Sequence, residues 1–382
     1  MTAEPTIDGV ILDRSIIICC GSGGVGKTTT AAAFALQAAR LGRMACVVTI
    51  DPARRLANAL GLDALTNRPT RIEGPWPGEL HALMLDPKGT FDDLILRYSD
   101  TSEQAEDIKV NRIYRNLTGS LSGTQEYMAM EKLYELVEEG GFDLVVVDTP
   151  PSRNALDFLD APRRLTRFLE NRLFQALMMP TRAGLRIMGV AAQALLRTIS
   201  KVAGADIVGD AVAFFQAFEG MEEGFRNRAA RVRELLVQAD TAFILVASPR
   251  PDSVDEAVHF AGKLAESDMS VTALVVNRVQ PRFADDAQLA LLTEQAVPGT
   301  NSALDQLIEN LRGYTAASDR EEQAFADLVV KVAPAPVYRV PLLNTDVHDL
   351  DSLATIADLL FAAADTGVTS MDGAVGGPPP ER

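Results

Sequence analysis

Residues 15–42 read SIIICCGSGGVGKTTTAAAFALQAARLG, and this stretch decides the architecture. An uninterrupted β-branched run, "SIIICC", ends in a glycine-rich loop, and the loop opens into an alanine-rich segment with strong helix propensity. Gly21, Gly26, Lys27 and Thr28 satisfy G-x-x-x-x-G-K-[ST] in the strand–loop–helix context that the pattern requires. In such a loop Gly23, Gly24, Val25 and Gly26 bring backbone N–H groups against phosphate oxygens, and the helix N-terminus adds its positive dipole end. Lys27 reaches the outer phosphates, Thr28 places a hydroxyl on Mg²⁺, and Thr29 continues the first turn. A glycine-rich turn with no ligand is the plainer alternative.

Working outward, short apolar runs recur at 44–50, 80–85, 142–148, 241–247, 271–277 and 336–341, separated by helical stretches. Near-continuous apolar strands of this kind are buried on both faces, which predicts an α/β fold: a doubly wound, mostly parallel sheet of the P-loop NTPase type. Two gaps, about 86–141 and 151–240, exceed one crossover helix and read as helical insertions. The expected organisation is a single domain over 1–365 carrying both insertions, and a disordered tail over 366–382, where Gly and Pro replace any apolar period.

In a parallel sheet the C-terminal strand ends form the ligand crevice. Asp51 in "TIDPARRL" and Asp148 in "VVVDTPPSRNAL" both follow strands and are therefore expected to open toward the loop. Asp148 suits the Mg²⁺ shell, leaving Asp51 to orient or deprotonate the attacking water, itself a neighbour of the metal. Turn opening and helix capping explain the same residue types. The stretch "VVNRV" at 275–279 lacks the Asp of a guanine-reading Asn-Lys-x-Asp element, so ATP is favoured over GTP.

The chain has 382 residues, 47% of them hydrophobic, enough to bury a full core, and a formal charge of −16. That charge opposes encounter with nucleic-acid phosphates, and a DNA-associated role is disfavoured. Cys19, Cys20 and Cys46 all lie in apolar runs and no C-x-x-C pair occurs, which argues against a zinc site. The N-terminus lacks a signal-peptide pattern and no run of about 20 apolar residues occurs, so the expected location is cytoplasmic, with peripheral membrane association left open.

"GGVGKTT", "IDPARRLANALG" and "FDLVVVDTPPSRNAL" together resemble the loop and the two switches of the arsenical-pump-driving and tail-anchored-protein-targeting ATPases, a branch of the deviant P-loop ATPases. The resemblance runs over roughly 14–362. It implies Mg-ATP hydrolysis, Asp51 as the water-activating residue, adenine contacts from Asn277 and Arg278 in "VVNR", and a second base-side loop in "RVPLLNTDVHDL" with Pro341 and Leu342 near the ring. Within the branch the chain resembles a bacterial subgroup named for anion transport whose members occur as paired subunits, which implies a homodimer or a heterodimer with a related ATPase. Three departures stand out. Ser22 occupies the position of the family's signature lysine, so a cation must come from Arg54, Arg55, Arg153 or a partner. The arsenite-binding cysteine triad is absent, and so is the zinc clamp of the targeting dimer.

Residues 182–201 place Leu185, Met188, Ala192, Leu195, Leu196 and Ile199 on one helical face. From 161 to 201 eight basic residues face a single acid, Glu170, a local charge of +7. Such a segment could meet a membrane surface or a hydrophobic client, as the targeting branch implies, and Phe214, Phe215, Phe218, Met221 and Phe225 could extend an apolar groove. The insertion's own core explains the same stripe. Glu126 and Glu131 lie where the family carries a nucleotide-sensing helix, though a solvated face explains them equally well.

Overall fold

The computed structural model describes residues 7–51, 53–112, 114–115, 124–150, 220–295 and 303–362, with a few positions between 161 and 217. Its centre is an eight-stranded sheet of order β3-β4-β2-β5-β1-β6-β7-β8. The strands are β1 (Ile16–Gly21), β2 (Met44–Thr49), β3 (Thr70–Ile72), β4 (Glu79–Met84), β5 (Leu144–Asp148), β6 (Thr241–Ala247), β7 (Val271–Val279) and β8 (Val337–Pro341). All neighbours pair in parallel except β3, which runs antiparallel to β4 at one edge. The doubly wound, mostly parallel expectation is borne out. Strand β3 carries no apolar run to announce it, since its three residues pair with β4 at the sheet edge and only Ile72 is buried.

Alternation along β1 explains why both faces need cover. Ile17 and Cys19 point into one apolar layer, Ile16, Ile18 and Cys20 into the other, and all are buried. The first layer is closed by α1 (Ile7–Asp13), α2 (Lys27–Arg40), α3 (Arg55–Ala59) and α11 (Leu350–Ala362). Helix α2 reads "AAAFA" through its middle because it lies flat on the sheet; Ala31 to Ala35 are fully buried, and small side chains let the backbone approach closely. The second layer is closed by α6 (Thr124–Glu138), α7 (Glu222–Val237), α8 (Pro251–Glu266) and α10 (Ala303–Val332).

A third apolar cluster joins α4 (Pro87–Tyr98) and α5 (Ser102–Val110) to α6 and α7, around the buried Tyr114, Met128 and Phe225. Here lie Phe214 and Met221 as well, 4% and 1% exposed, so of the proposed aromatic groove Phe214, Met221 and Phe225 belong to a core instead. Phe215, Phe218, the stripe at 182–201, Arg153 and the tail at 366–382 lie outside the described residues. Helix α9 (Asp286–Gln295) packs beside α10. Cys19, Cys20 and Cys46 are all free and buried in strands.

Candidate active site

The strand order puts β1 between β5 and β6, so the loop after β1 stands at the middle of the sheet's C-terminal edge, where β2 and β5 also end. Gly26 is the N-cap of α2, with φ of 98°, and no side chain caps the first-turn N–H groups. A β-carbon on Gly26 would fall 2.1 Å from Asn277 Nδ2, so glycine is required there on two counts. Asn277 Nδ2 donates to the Val25 carbonyl at 2.8 Å, and Arg278 Nη1 donates to the Gly24 carbonyl at 3.1 Å. Arg278 has φ of 64°, and the β7–β8 register shifts between Asn277 and Val279. This bulge turns two consecutive side chains of β7 onto the loop.

Thr49 and Asp148 are register partners across β2 and β5. Thr49 Oγ1 donates to Asp148 Oδ2 at 2.8 Å, and Thr28 Oγ1 donates to the same oxygen at 2.7 Å. The other oxygen, Oδ1, is buried and has no hydrogen-bond partner. Burial pushes the Asp148 carboxyl up to about 6, against the pull of the Thr28 and Thr49 hydroxyls and of Lys27, while Asp51 adds to the rise. An orphaned, desolvated carboxylate oxygen beside a hydroxyl fits a hard cation with oxygen ligands. Among the described residues no group of three or more His, Cys, Asp or Glu could hold a metal. Mg²⁺ needs no such cage, because it binds through one or two protein oxygens together with water and substrate phosphates.

Lys27 is 7% exposed and its Nζ donates to the Ser22 carbonyl at 2.8 Å. Burial lowers its proton affinity, and Asp148 is the main group that restores it. Ser22 turns away from the loop's ligand side: its Oγ donates to Ser253 Oγ at 3.1 Å, and Ser253 Oγ in turn accepts from the Ser248 N–H at 3.0 Å. Asp51 Oδ1 accepts from the Ala53 N–H at 2.9 Å, a local turn that holds the carboxylate at the end of β2. Its other oxygen stands 3.6 Å from Arg55 Nη1.

The site opens as one cleft of about 760 Å³. Gly23, Gly24, Gly26, Lys27, Thr28, Thr29, Asp51, Asp148, Asn277, Arg278, Pro341 and Leu342 are all brought to its walls. Val25 contributes its backbone to the loop but buries its side chain, at 3% exposure, in the first apolar layer. Of the arginines proposed to supply a cation, Arg55 lines the cleft, whereas Arg54 is exposed outside it. Sequence reasoning missed Thr49, Thr149, Asn58 and the wall of Leu343, Thr345, Asp346 and Val347. A signal for Thr49 existed in its place beside Asp51 at the end of an apolar run, but its partner lies 99 residues away.

A family model described as anion-transporting ATPase matches residues 14–362. The chain belongs to that family. It is an ATP-hydrolysing enzyme of the deviant P-loop class, as the resemblance in its motifs implied. Among curated relatives, the ATPase ASNA1 homolog of Dictyostelium discoideum is 27% identical over 282 residues, 72% of this chain and 76% of that protein. ATPase get3 of Aspergillus terreus is 28% identical over 180 residues, and ATPase GET3 of Podospora anserina 30% over 174. Each of these two alignments covers 44% of this chain and 49% of the relative, so they span about half of either fungal protein. Among the described residues of this ATPase, no helix is long and apolar enough to cross a membrane.

Proposed function

We propose that this ATPase hydrolyses Mg-ATP in the cleft and couples the reaction to movement of its helical segments and to pairing with a second ATPase subunit. The observation that carries the metal-dependent part is Asp148, whose buried Oδ1 has no partner while Oδ2 holds the hydroxyls of Thr28 and Thr49. Mg²⁺, held through Thr28 and Asp148, would neutralise charge on the outer phosphates of the substrate. The loop amides from Gly23 to Thr29 and the Lys27 ammonium hold the phosphate chain. Asn277, Arg278, Pro341 and Leu342 form the wall for the adenine. Asp51, fixed by its turn through Ala53, orients the attacking water and accepts its proton. The cytoplasm is the compartment this reading calls for, and a hydrophobic client or membrane partner is the cargo that the relatives suggest.

The test is steady-state ATP hydrolysis by the purified chain with Lys27→Ala as the blank. Turnover above the blank that needs Mg²⁺ and falls at least ~100-fold in Asp51→Asn, with ATP binding retained, supports the assignment. Full turnover in Asp51→Asn would remove Asp51 from the reaction. A second reading, an ATP-binding subunit that turns over only beside a related subunit, is favoured by one observation: Ser22 is drawn under the loop to Ser253. Tight ATP binding with turnover only after adding a second ATPase subunit would select it.

A further inference from the structure

We infer that Arg55 is the cation that contacts the transferring γ-phosphate in this site, exchanging its partner Asp51 for a phosphate oxygen as the reaction proceeds. The inference rests on the ATP-hydrolysis reading above and deepens it.

Three cations line the cleft among the described residues: Lys27, Arg55 and Arg278. Two of them already have roles. Lys27, buried with Nζ on the Ser22 carbonyl, serves the phosphate chain from within the loop, and Arg278 is tied to the Gly24 carbonyl on the β7 side, next to Asn277. Arg55 opens α3 at the edge of the cleft, four residues beyond Asp51, the residue assigned to orient water. Its side chain is 64% exposed, and the only ion pair it makes among the described residues is with Asp51, at 3.6 Å, beyond hydrogen-bonding distance. An exposed pair at that separation is weak, so the guanidinium can turn to a new anion at little cost. Its charge also reaches the phosphate loop: burial is the main reason that Lys27 loses proton affinity, and Arg55 adds to the effect.

Chemistry asks for a cation at this edge. As the water oxygen bonds to the γ-phosphorus, the bond from that phosphorus to the β–γ bridging oxygen breaks and its electron pair leaves with ADP. The water proton goes to Asp51, and negative charge spreads over the γ-oxygens. Arg55 keeps its proton throughout, and its planar fork matches two phosphate oxygens at once. Asp51 then loses a competing cation at the step where it must accept a proton. Arg54, its neighbour, is exposed and outside the cleft, so the two consecutive arginines have different expected roles.

The experiment compares Arg55→Ala, Arg55→Lys and Arg54→Ala for kcat, for ATP affinity and for affinity toward ADP with aluminium fluoride, a mimic of the transferring phosphoryl group. Arg55→Ala is expected to lower kcat by ~10³-fold, in the range of arginines supplied to such sites, while ATP affinity stays within about threefold. Affinity for the aluminium fluoride complex should fall in parallel. Arg55→Lys should recover only part of both, and Arg54→Ala should leave both unchanged. The same comparison in the Asp51→Asn background separates direct contact from an effect through Asp51. Loss of affinity for the complex on removing Arg55 should persist there, and its disappearance would overturn the inference. Equal kcat in Arg55→Ala and wild type would overturn it while leaving ATP hydrolysis in place. Wild-type turnover no higher than the Lys27→Ala blank would instead remove the hydrolysis reading, and this inference with it.

Discussion

Replacing Asp148 by Asn should stabilise the metal-free, nucleotide-free ATPase while abolishing its turnover. Asp148 is 1% exposed, and its carboxyl is pushed up to about 6 chiefly by burial, from the ordinary value of 3.8. Between those two values the folded chain holds a proton that the unfolded chain has released. Stability therefore falls as pH rises from about 4 to about 6, and the loss is complete and constant above that. A shift of roughly two pH units corresponds to about 3 kcal/mol of ionisation cost carried by the fold at pH 8. Asparagine removes the charge, and its carbonyl can still accept from Thr28 and Thr49. The amide left at the orphaned Oδ1 position returns about 1 kcal/mol of that gain. The expected net effect is a stabilisation of ~1–2 kcal/mol at pH 8, read as a higher urea midpoint in the presence of a chelator. Near pH 5.3 the ionisation cost is only about two thirds as large, so the difference between the two proteins should narrow. Mg²⁺ with a non-hydrolysable ATP analogue should raise the midpoint of the wild type and not of the variant. A metal-free Asp148→Asn protein less stable than wild type at pH 8 would refute the argument, since the carboxylate would then be a net stabilising group.

Further outcomes follow from the same geometry. Gly26→Ala forces a β-carbon to within 2.1 Å of Asn277 Nδ2 at a φ of 98°; a folded protein by circular dichroism with at least ~10-fold weaker binding of a fluorescent ATP analogue is expected. Glu131, 1% exposed, accepts from Tyr127 and from Arg228 Nε at 2.8 Å, tying α6 to α7. Glu131→Leu removes the buried partner of Arg228, leaving its guanidinium with the half-exposed Glu139 at 3.2 Å and the Tyr134 ring, and should cost ~2 kcal/mol in urea denaturation, whereas Glu131→Met with Arg228→Met should recover most of it.

Much of the site was legible because its residues sit at strand ends, and strand ends are marked by where apolar runs stop. Gly26, Lys27, Thr28, Asp51 and Asp148 all follow from that single rule together with the loop pattern. The rule failed where burial had to be decided by packing. Phe214, Met221 and Phe225 have the composition of a groove, but α4, α5 and α6 cover them. Glu131 read equally well as a solvated charge, and it is buried because Arg228 arrives from a helix 97 residues later. Strand β3 escaped notice because three residues at a sheet edge need no apolar period to be held.

The sequence by itself determined the class of fold, the phosphate loop with its helix, and the two carboxylates, because each is written in a contiguous stretch whose local period or spacing has one physical meaning. Tertiary structure alone decided the rest. It set Thr49 in register with Asp148, laid Asn277 against a loop 252 residues away, turned Ser22 toward Ser253, and put Arg55 rather than Arg54 on the cleft wall. Those choices depend on which strands become neighbours and on which side of a short helix meets the sheet. Both are fixed by the collective packing of two apolar layers, which no single stretch of the chain contains.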